Sequence, residues 1–155
     1  MLKGLFKKTV QLSAPMVGQI IRLEEVPDEV FSGKMIGEGF AVNPASGQVV
    51  SPVDGEIIQI FPTKHAIGIK TKEGLEILIH VGIDTVELKG QGFEAFIEKG
   101  SQVKAGDLLL EVDKAYVEAQ GKSMITPIVF TNPQNYKSID VNYGESSGIV
   151  CEVKV

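Results

Sequence analysis

The chain has 155 residues, 43% of them hydrophobic and 23% charged, which is the balance expected of a single domain, residues 1–155, with a buried core. Its net charge of −5, without dense runs of Lys or Arg, argues against a nucleic-acid partner. One cysteine excludes an internal disulfide, and the sequence contains neither a signal peptide nor a spanning apolar run, so we expect a cytoplasmic protein.

The chain begins with a short basic segment, MLKGLFKK. We interpret residues 1–9 as a flexible head or a linker remnant. A basic amphipathic turn that touches anionic lipid is the alternative.

Short runs rich in Val and Ile follow, separated by many of the 17 glycines and 7 prolines. This spacing predicts an all-β fold, an antiparallel sandwich or barrel, rather than alternating strands and helices. A shift of 37 residues aligns PMVGQIIRL (15–23) with PVDGEIIQI (52–60). The match indicates either a duplicated β unit or two ordinary strands that each follow a Pro-x-x-Gly turn.

A β-hairpin is predicted where IFPTKHAIGIK (60–70) and EILIH (76–80) flank the turn sequence TKEG. With Lys72 and Glu73 at the tip, paired residue numbers sum to 145, which places His65 opposite His80 on one face. Opposed Cβ atoms lie about 4.5–5.5 Å apart, so the two rings would be in reach of each other. A slip to a sum of 146, caused by a bulge at Gly74, would put them on opposite faces.

Helix signals are confined to DKAYVEAQG (113–121), where Asp113 is placed to cap and Gly121 to terminate a short helix. We therefore expect only one or two short helical turns in the fold.

The candidate chemistry depends on the chain's two histidines. A single histidine in such a setting more often has a structural role than a functional one. Apolar neighbours disfavour the protonated ring, so at least one imidazole should be neutral near pH 7, with a free lone pair. Such a ring is a nucleophile, a base or a metal ligand. No phosphate-binding loop is present, so a phosphoryl group would have to come from another protein.

Hydrolytic chemistries fit the sequence less well. His65 and His80 would begin a zinc site if Asp84 or Asp28 completed it, but there is no HExxH and no third histidine. No G-x-S-x-G is present, and Cys151 lies in the alternating run IVCEVKV, where a buried thiol is the ordinary case.

An acylated carrier domain is a further alternative. The stretch EKGSQVKAGDLLLEVDKA (98–115) is similar to the segment of lipoyl and biotinyl domains that carries the modified lysine, here Lys114. Against this reading, the chain continues well beyond that segment, and a V-K-x-G-D turn also serves as a simple hairpin.

Four stretches in order, PVDGEI, TKHA, ILIHVGIDTVELKGQGF and VKAGDLLLEVD, resemble the glucose-type IIA component of the bacterial phosphoenolpyruvate-dependent sugar phosphotransferase system. The resemblance covers roughly residues 10–155. It implies an antiparallel β-sandwich described as a duplicated hybrid motif. It also implies a phosphohistidine carrier without a cofactor or intrinsic metal, which acts in the cytoplasm at a membrane-bound sugar permease.

The same resemblance implies roles for three residues. His80 would accept a phosphoryl group at Nε2 from the phosphohistidine of HPr and pass it to a cysteine of a IIB domain. His65 would hydrogen-bond the phosphate without accepting it, and Thr63 would contact the neighbouring histidine ring. In some relatives, zinc bridges the two histidines at a contact with a regulatory partner.

The resemblance further implies a docking surface for partner proteins. Asp28 and Asp84 would meet arginines of HPr, although each is equally readable as a solvated loop carboxylate; Asp84 would share the strand face of His80 if that strand continued. From VFSGKMIGEGFAV (30–42), we expect Ile36 and Phe40 in the core. The apolar residues expected to contact partners are Val30, Phe31, Met35, Phe61, Leu78 and Val86.

Overall fold

The computed structural model describes residues 8–155. In that range the strands are β1 (Thr9–Ser13), β2 (Gly18–Arg22), β3 (Glu38–Pro44), β4 (Gln48–Val50), β5 (Gly55–Ile60), β6 (Ala66–Lys70), β7 (Glu76–His80), β8 (Phe93–Ala95), β9 (Gln102–Val103), β10 (Leu108–Val112), β11 (Thr126–Phe130), β12 (Ser138–Val141), β13 (Gly144–Glu145) and β14 (Ile149–Lys154). The α-helices there are α1 (Glu29–Ser32) and α2 (Lys114–Ala119), and 3₁₀ helices span Leu23–Glu25, Thr85–Leu88 and Pro133–Asn135.

The strands of residues 8–155 form three antiparallel sheets around a shared core. The largest has the order β13-β2-β3-β11-β7-β6-β5-β9, and the two smaller ones are β1-β14-β12 and β4-β10-β8. Leu12 of β1, Leu110 of β10 and Ile79 of β7 all belong to one buried apolar cluster, so the three sheets pack on a common interior. The predicted antiparallel β-sandwich is therefore confirmed.

The centre of the large sheet is buried on both faces. Phe40 and Ile128 point into the main core, whereas their strand neighbours Ala41 and Val129 belong to a second, smaller cluster. Since side chains alternate along a strand, this second cluster lies on the outer face of the sheet. Phe31 of α1 helps to cover it, and this covered outer face surrounds the candidate site.

The hairpin β6–β7 has a different register from the one predicted. Thr71 N–H donates to Leu75 O at 2.9 Å, and Gly74 N–H donates to Thr71 O at 3.0 Å, with φ 96° at Gly74. This is a three-residue loop that ends in a left-handed glycine bulge. Paired numbers consequently sum to 146, with Ala66 opposite His80, so the predicted sum of 145 is wrong and the alternative slip occurs.

The 37-residue repeat falls on equivalent places in the large sheet. β2 and β5 begin at Gly18 and Gly55, and each is the second strand from its end of the sheet. Ile20 and Ile57, which the shift aligns, are both buried in the main core. These positions agree with a duplicated β unit, which stays a prediction.

Of the two α-helices in the described residues, α2 was predicted and α1 was missed. For α2, the Asp113 carboxylate accepts Tyr116 N–H at 3.0 Å, and Gly121 follows with φ 79°, as the sequence indicated. α1 was not predicted, because four residues are too few to give a helical periodicity. Its signal is the carboxylate of Asp28, which accepts Val30 N–H at 2.8 Å. None of the described helices is long and apolar enough to cross a bilayer.

Strand pairing begins inside the segment that we expected to be a head, residues 1–9. Residues 1–7 lie outside the described residues, but Thr9 already belongs to β1 and pairs with Lys154. Lys8 O also accepts Val155 N–H at 3.0 Å. Thr9 is therefore part of the sheet, and Lys8 is hydrogen-bonded to the last residue of the chain.

Candidate functional site

His80 lies at the end of β7, on the outer face of the large sheet. Ile79 and Val81 point into the main core, so the imidazole between them points the other way, where it is half-buried. The small side chain of Ala66 lies directly opposite. The Phe31 ring packs on the imidazole with 4.9 Å between centroids and 56° between planes. One side of His80 is thus covered by α1 and the rest is left partly open.

The hydrogen bond of His80 fixes its tautomer. Nδ1 lies 2.9 Å from the carbonyl oxygen of Gly82. A carbonyl only accepts, so Nδ1 must carry the hydrogen. Burial lowers the pKa of His80, although the Gly82 hydrogen bond and the charges of Asp28 and Asp84 oppose that shift. At neutral pH the ring is therefore uncharged, and the lone pair is on Nε2.

His65 lies next to His80, although the two residues are not paired across the strands. Val81 N–H donates to His65 O at 2.7 Å, so His65 is opposite Val81 rather than His80. The two imidazole centroids are nevertheless 4.9 Å apart, with an interplanar angle of 79°. His65 precedes the first residue of β6 and follows Lys64, whose φ is 62°. Strand alternation does not extend across that left-handed residue, and the predicted proximity is confirmed although the predicted register is wrong.

His65 is the more enclosed of the two rings, with 5% of its surface exposed. Thr63 Oγ1 lies 2.5 Å from its Nδ1, and the Phe61 ring packs at 5.4 Å between centroids. Burial, with a smaller effect of His80, lowers the pKa of His65 to about 4. The pair thus consists of two neutral imidazoles in contact. The sequence indicated at least one neutral ring.

Two carboxylates lie close enough to act on His80. Both Asp28 and Asp84 raise its pKa through their charges. Asp28 also caps α1, which fixes its position beside the ring. β7 ends at His80, so Asp84 does not continue that strand as we had allowed; it lies in the following loop with φ 58°, just before the Thr85–Leu88 helix. The structure thus brings both expected acidic residues to the site.

The apolar surface beside the site differs from our expectation in two residues. Phe31 is only 5% exposed, because α1 turns its ring inward against His80, so it is not part of an exposed patch. Ile36 is 37% exposed rather than in the core, since it lies in the connection before β3, whereas Phe40 is buried as predicted. Of the remaining candidates, Val30, Met35 and Val86 are exposed, while Phe61 and Leu78 are half-buried.

Comparison with known proteins identifies the family. Residues 10–136 match the family model described as phosphoenolpyruvate-dependent sugar phosphotransferase system, EIIA 1. The chain belongs to this EIIA family. It is therefore a component of a sugar phosphotransferase system.

Individual EIIA relatives are similar over most of their length. The PTS system glucose-specific EIIA component of Bacillus cereus is 53% identical over 143 residues, 91% of this chain and 87% of the relative. The component of the same description from Staphylococcus epidermidis is 46% identical over 134 residues, 86% of this chain and 81% of the relative. The solved glucose permease IIA from Mycoplasma capricolum superposes with a TM-score of 0.89 at 46% identity, covering 94% of this chain and 96% of that one.

The structure offers no support for the other chemistries that the sequence left open. Among residues 8–155, no three His, Cys, Asp or Glu side chains are grouped so that they would hold a metal ion. Burial raises the pKa of the Cys151 thiol to about 12, which leaves it protonated and unreactive. Lys114 is the first residue of α2 and pairs with Glu118 at 3.2 Å.

Sequence reasoning missed two features that shape the EIIA site. One is the Phe31 ring on His80, which depends on α1. The other is the Gly82 carbonyl, a backbone group whose only trace in the sequence is the glycine after His80-Val81. Gly82 has φ 75°, a conformation that glycine adopts readily and that turns its carbonyl back toward the imidazole.

Proposed function

We propose that the chain is a phosphohistidine carrier in which His80 accepts a phosphoryl group from phospho-HPr and passes it to a cysteine of a IIB domain during sugar uptake. One observation carries this proposal: the bond from Nδ1 to the Gly82 carbonyl leaves Nε2 of a neutral ring as the nucleophile. The family membership supports the same reaction class.

The proposed transfer needs no general base. The Nε2 lone pair attacks phosphorus while the bond between phosphorus and the HPr imidazole nitrogen breaks, and that nitrogen keeps the electron pair. The His80 ring then carries a positive charge beside the phosphoryl dianion, with its Nδ1–H directed at the Gly82 carbonyl. When a thiolate of the IIB domain attacks phosphorus, the Nε2–P bond breaks and the ring becomes neutral again.

His65 supports the phosphoryl group in this proposal. We assign Thr63 Oγ1–H as the donor to Nδ1 of His65, an assignment that leaves the hydrogen of the neutral ring on Nε2 as a donor to a phosphoryl oxygen. The low pKa of His65 keeps that ring neutral before transfer, and an adjacent dianion would raise the pKa. Positioning and charge stabilisation are the main requirements of phosphoryl transfer.

The surface around the histidines suits protein partners. Asp28 and Asp84 place negative charge beside the acceptor nitrogen, complementary to arginines of HPr and of the IIB domain. The exposed residues Val30, Met35 and Val86 supply apolar contact area, and an unbranched Met adapts to more than one partner. We place the protein in the cytoplasm, at the inner face of the membrane. Because the relatives are described as glucose-specific, glucose is the sugar to test first.

Intact-mass analysis tests the proposal. The protein is incubated with phosphoenolpyruvate, enzyme I and HPr, after which a IIB domain and glucose are added. The wild-type chain should gain one phosphoryl group and lose it to IIB. His80→Gln should gain none, and His65→Gln should gain it but deliver it slowly. A phosphorylated His80→Gln protein would refute the assignment.

A further inference from the structure

The Gly82 carbonyl is held by contacts that reach well beyond the histidine pair. Residues 81–83 contain two successive peptide groups, Val81–Gly82 and Gly82–Ile83. Each peptide group offers one N–H and one carbonyl, and buried groups of this kind need partners. The hydrogen-bond partners of these four groups determine how firmly the Gly82 carbonyl, which accepts from His80 Nδ1–H, is held in its orientation.

The first peptide is clamped by two threonine hydroxyls. Thr85 Oγ1–H donates to Val81 O at 2.6 Å, and Gly82 N–H donates to Thr126 Oγ1 at 3.4 Å. Thr126 Oγ1–H in turn donates to Met124 O at 2.9 Å, which orients its lone pair toward the glycine. Both threonines are fully buried, so water does not compete for these bonds.

The second peptide is held on both sides as well. Gly82 O accepts from His80 Nδ1, while Ile83 N–H donates to Ser123 O at 3.0 Å. Hydrogen bonds at the two ends of one peptide polarise it in the same direction, which makes the carbonyl a better acceptor. A Cβ at Gly82 would lie 2.6 Å from Thr85 Cγ2 and 2.8 Å from Ser123 O, so the loop also fits closely around the glycine.

We propose that the buried hydroxyls of Thr85 and Thr126 are positioning residues for His80. By fixing the Val81–Gly82 peptide, they aim the Gly82 carbonyl at Nδ1 and so select the tautomer that leaves Nε2 free to attack. This inference rests on the proposed phosphoryl transfer for its kinetic consequence, but its structural part concerns the unphosphorylated protein alone. Neither threonine touches the reacting atoms; each acts through the glycine.

The test uses the full chain with Thr126→Val, which keeps the shape and removes the hydroxyl, and Thr126→Ser, which restores it. Thr71→Val is the matched control, because Thr71 is also buried and accepts Leu75 N–H at 3.1 Å, but at the far turn of the hairpin. Two quantities are measured: the Nδ1–H fraction of His80 by long-range proton–nitrogen NMR, and the rate of phosphoryl acceptance from phospho-HPr.

Thr126→Val should lower the Nδ1–H fraction and slow acceptance about tenfold, equivalent to about 1.4 kcal/mol of barrier, while Thr126→Ser and Thr71→Val stay near wild type. If Thr126→Val does not fold, Thr85→Val tests the other side of the same peptide with the same expectations. An unchanged tautomer and rate, or an equal slowing by Thr71→Val, overturns the positioning role. A wild-type chain that accepts no phosphate would overturn the proposed function instead, and the tautomer measurement would still decide the role of the threonines.

Discussion

Acid should destabilise the protein through His65, and the size of the effect follows from its burial. The pKa of His65 is about 4 in the folded chain and 6.5 when unperturbed. Between these values the unfolded chain binds more protons than the folded one, so the free energy of unfolding falls as the pH falls. At about pH 4.5 this amounts to about 2.5 kcal/mol, and at lower pH to about 3 kcal/mol. That is a large part of the 5–15 kcal/mol typical of a domain.

The assay is urea unfolding of the wild type and of His65→Gln near pH 7 and near pH 4.5. Glutamine does not titrate and retains an acceptor for the Thr63 hydroxyl. The other titratable groups are the same in both proteins, so the difference between their losses in free energy of unfolding isolates His65. The wild type should lose about 2.5 kcal/mol more than the variant over this interval. Equal losses, or a His65 ring that titrates near 6.5 by NMR, would show that burial does not hold it neutral.

Three further substitutions separate packing, backbone and surface roles around the site. Phe31→Ala removes the ring that covers His80, so the free energy of unfolding should fall by about 3 kcal/mol. The pKa of His80, measured by NMR titration, should rise because the ring no longer excludes water. An unchanged pKa would mean that the ring does not desolvate the imidazole. Gly82→Ala places a Cβ against Thr85 and puts a non-glycine residue at φ 75°. The free energy of unfolding should fall by about 1–3 kcal/mol, and phosphoryl acceptance should be slower. Wild-type values for both would contradict the claim that the Gly82 backbone orients His80. Met35→Ala alters a side chain that is 74% exposed, so the free energy of unfolding should change by less than about 0.5 kcal/mol. Calorimetry should show weaker binding to HPr. An unchanged affinity would mean that Met35 is not part of the docking surface.

The sequence predicted strand β7 well because its alternation is strong, whereas the predicted strand run 60–70 is interrupted by a turn and β6 begins only at Ala66. In EILIH (76–80), Ile77 and Ile79 are buried, and His80 is on the opposite face, as period-two patterning requires. The turn TKEG was equally clear as a turn, but its letters do not determine whether Gly74 ends a two-residue or a three-residue loop. That single residue changes the register, and the register decided the predicted pairing of the histidines.

The sequence predicted which side chains belong to the site better than it predicted their arrangement. His65 meets His80 because the chain passes through a left-handed residue, Lys64, and no periodic pattern in the sequence reports such a turn. Phe31 was expected at the surface because α1 is too short to show which side faces inward. The Gly82 carbonyl belongs to the backbone, so its role became visible only with the fold.

The account depends most on which nitrogen of which histidine carries the phosphoryl group. Long-range proton–nitrogen NMR on isotope-labelled protein, recorded before and after incubation with phosphoenolpyruvate, enzyme I and HPr, measures this directly. We expect a neutral His80 with its hydrogen on Nδ1 before the reaction, and phosphorus on Nε2 of the same ring afterwards. Phosphorus on Nδ1 of His80, or on either nitrogen of His65, would contradict the central claim.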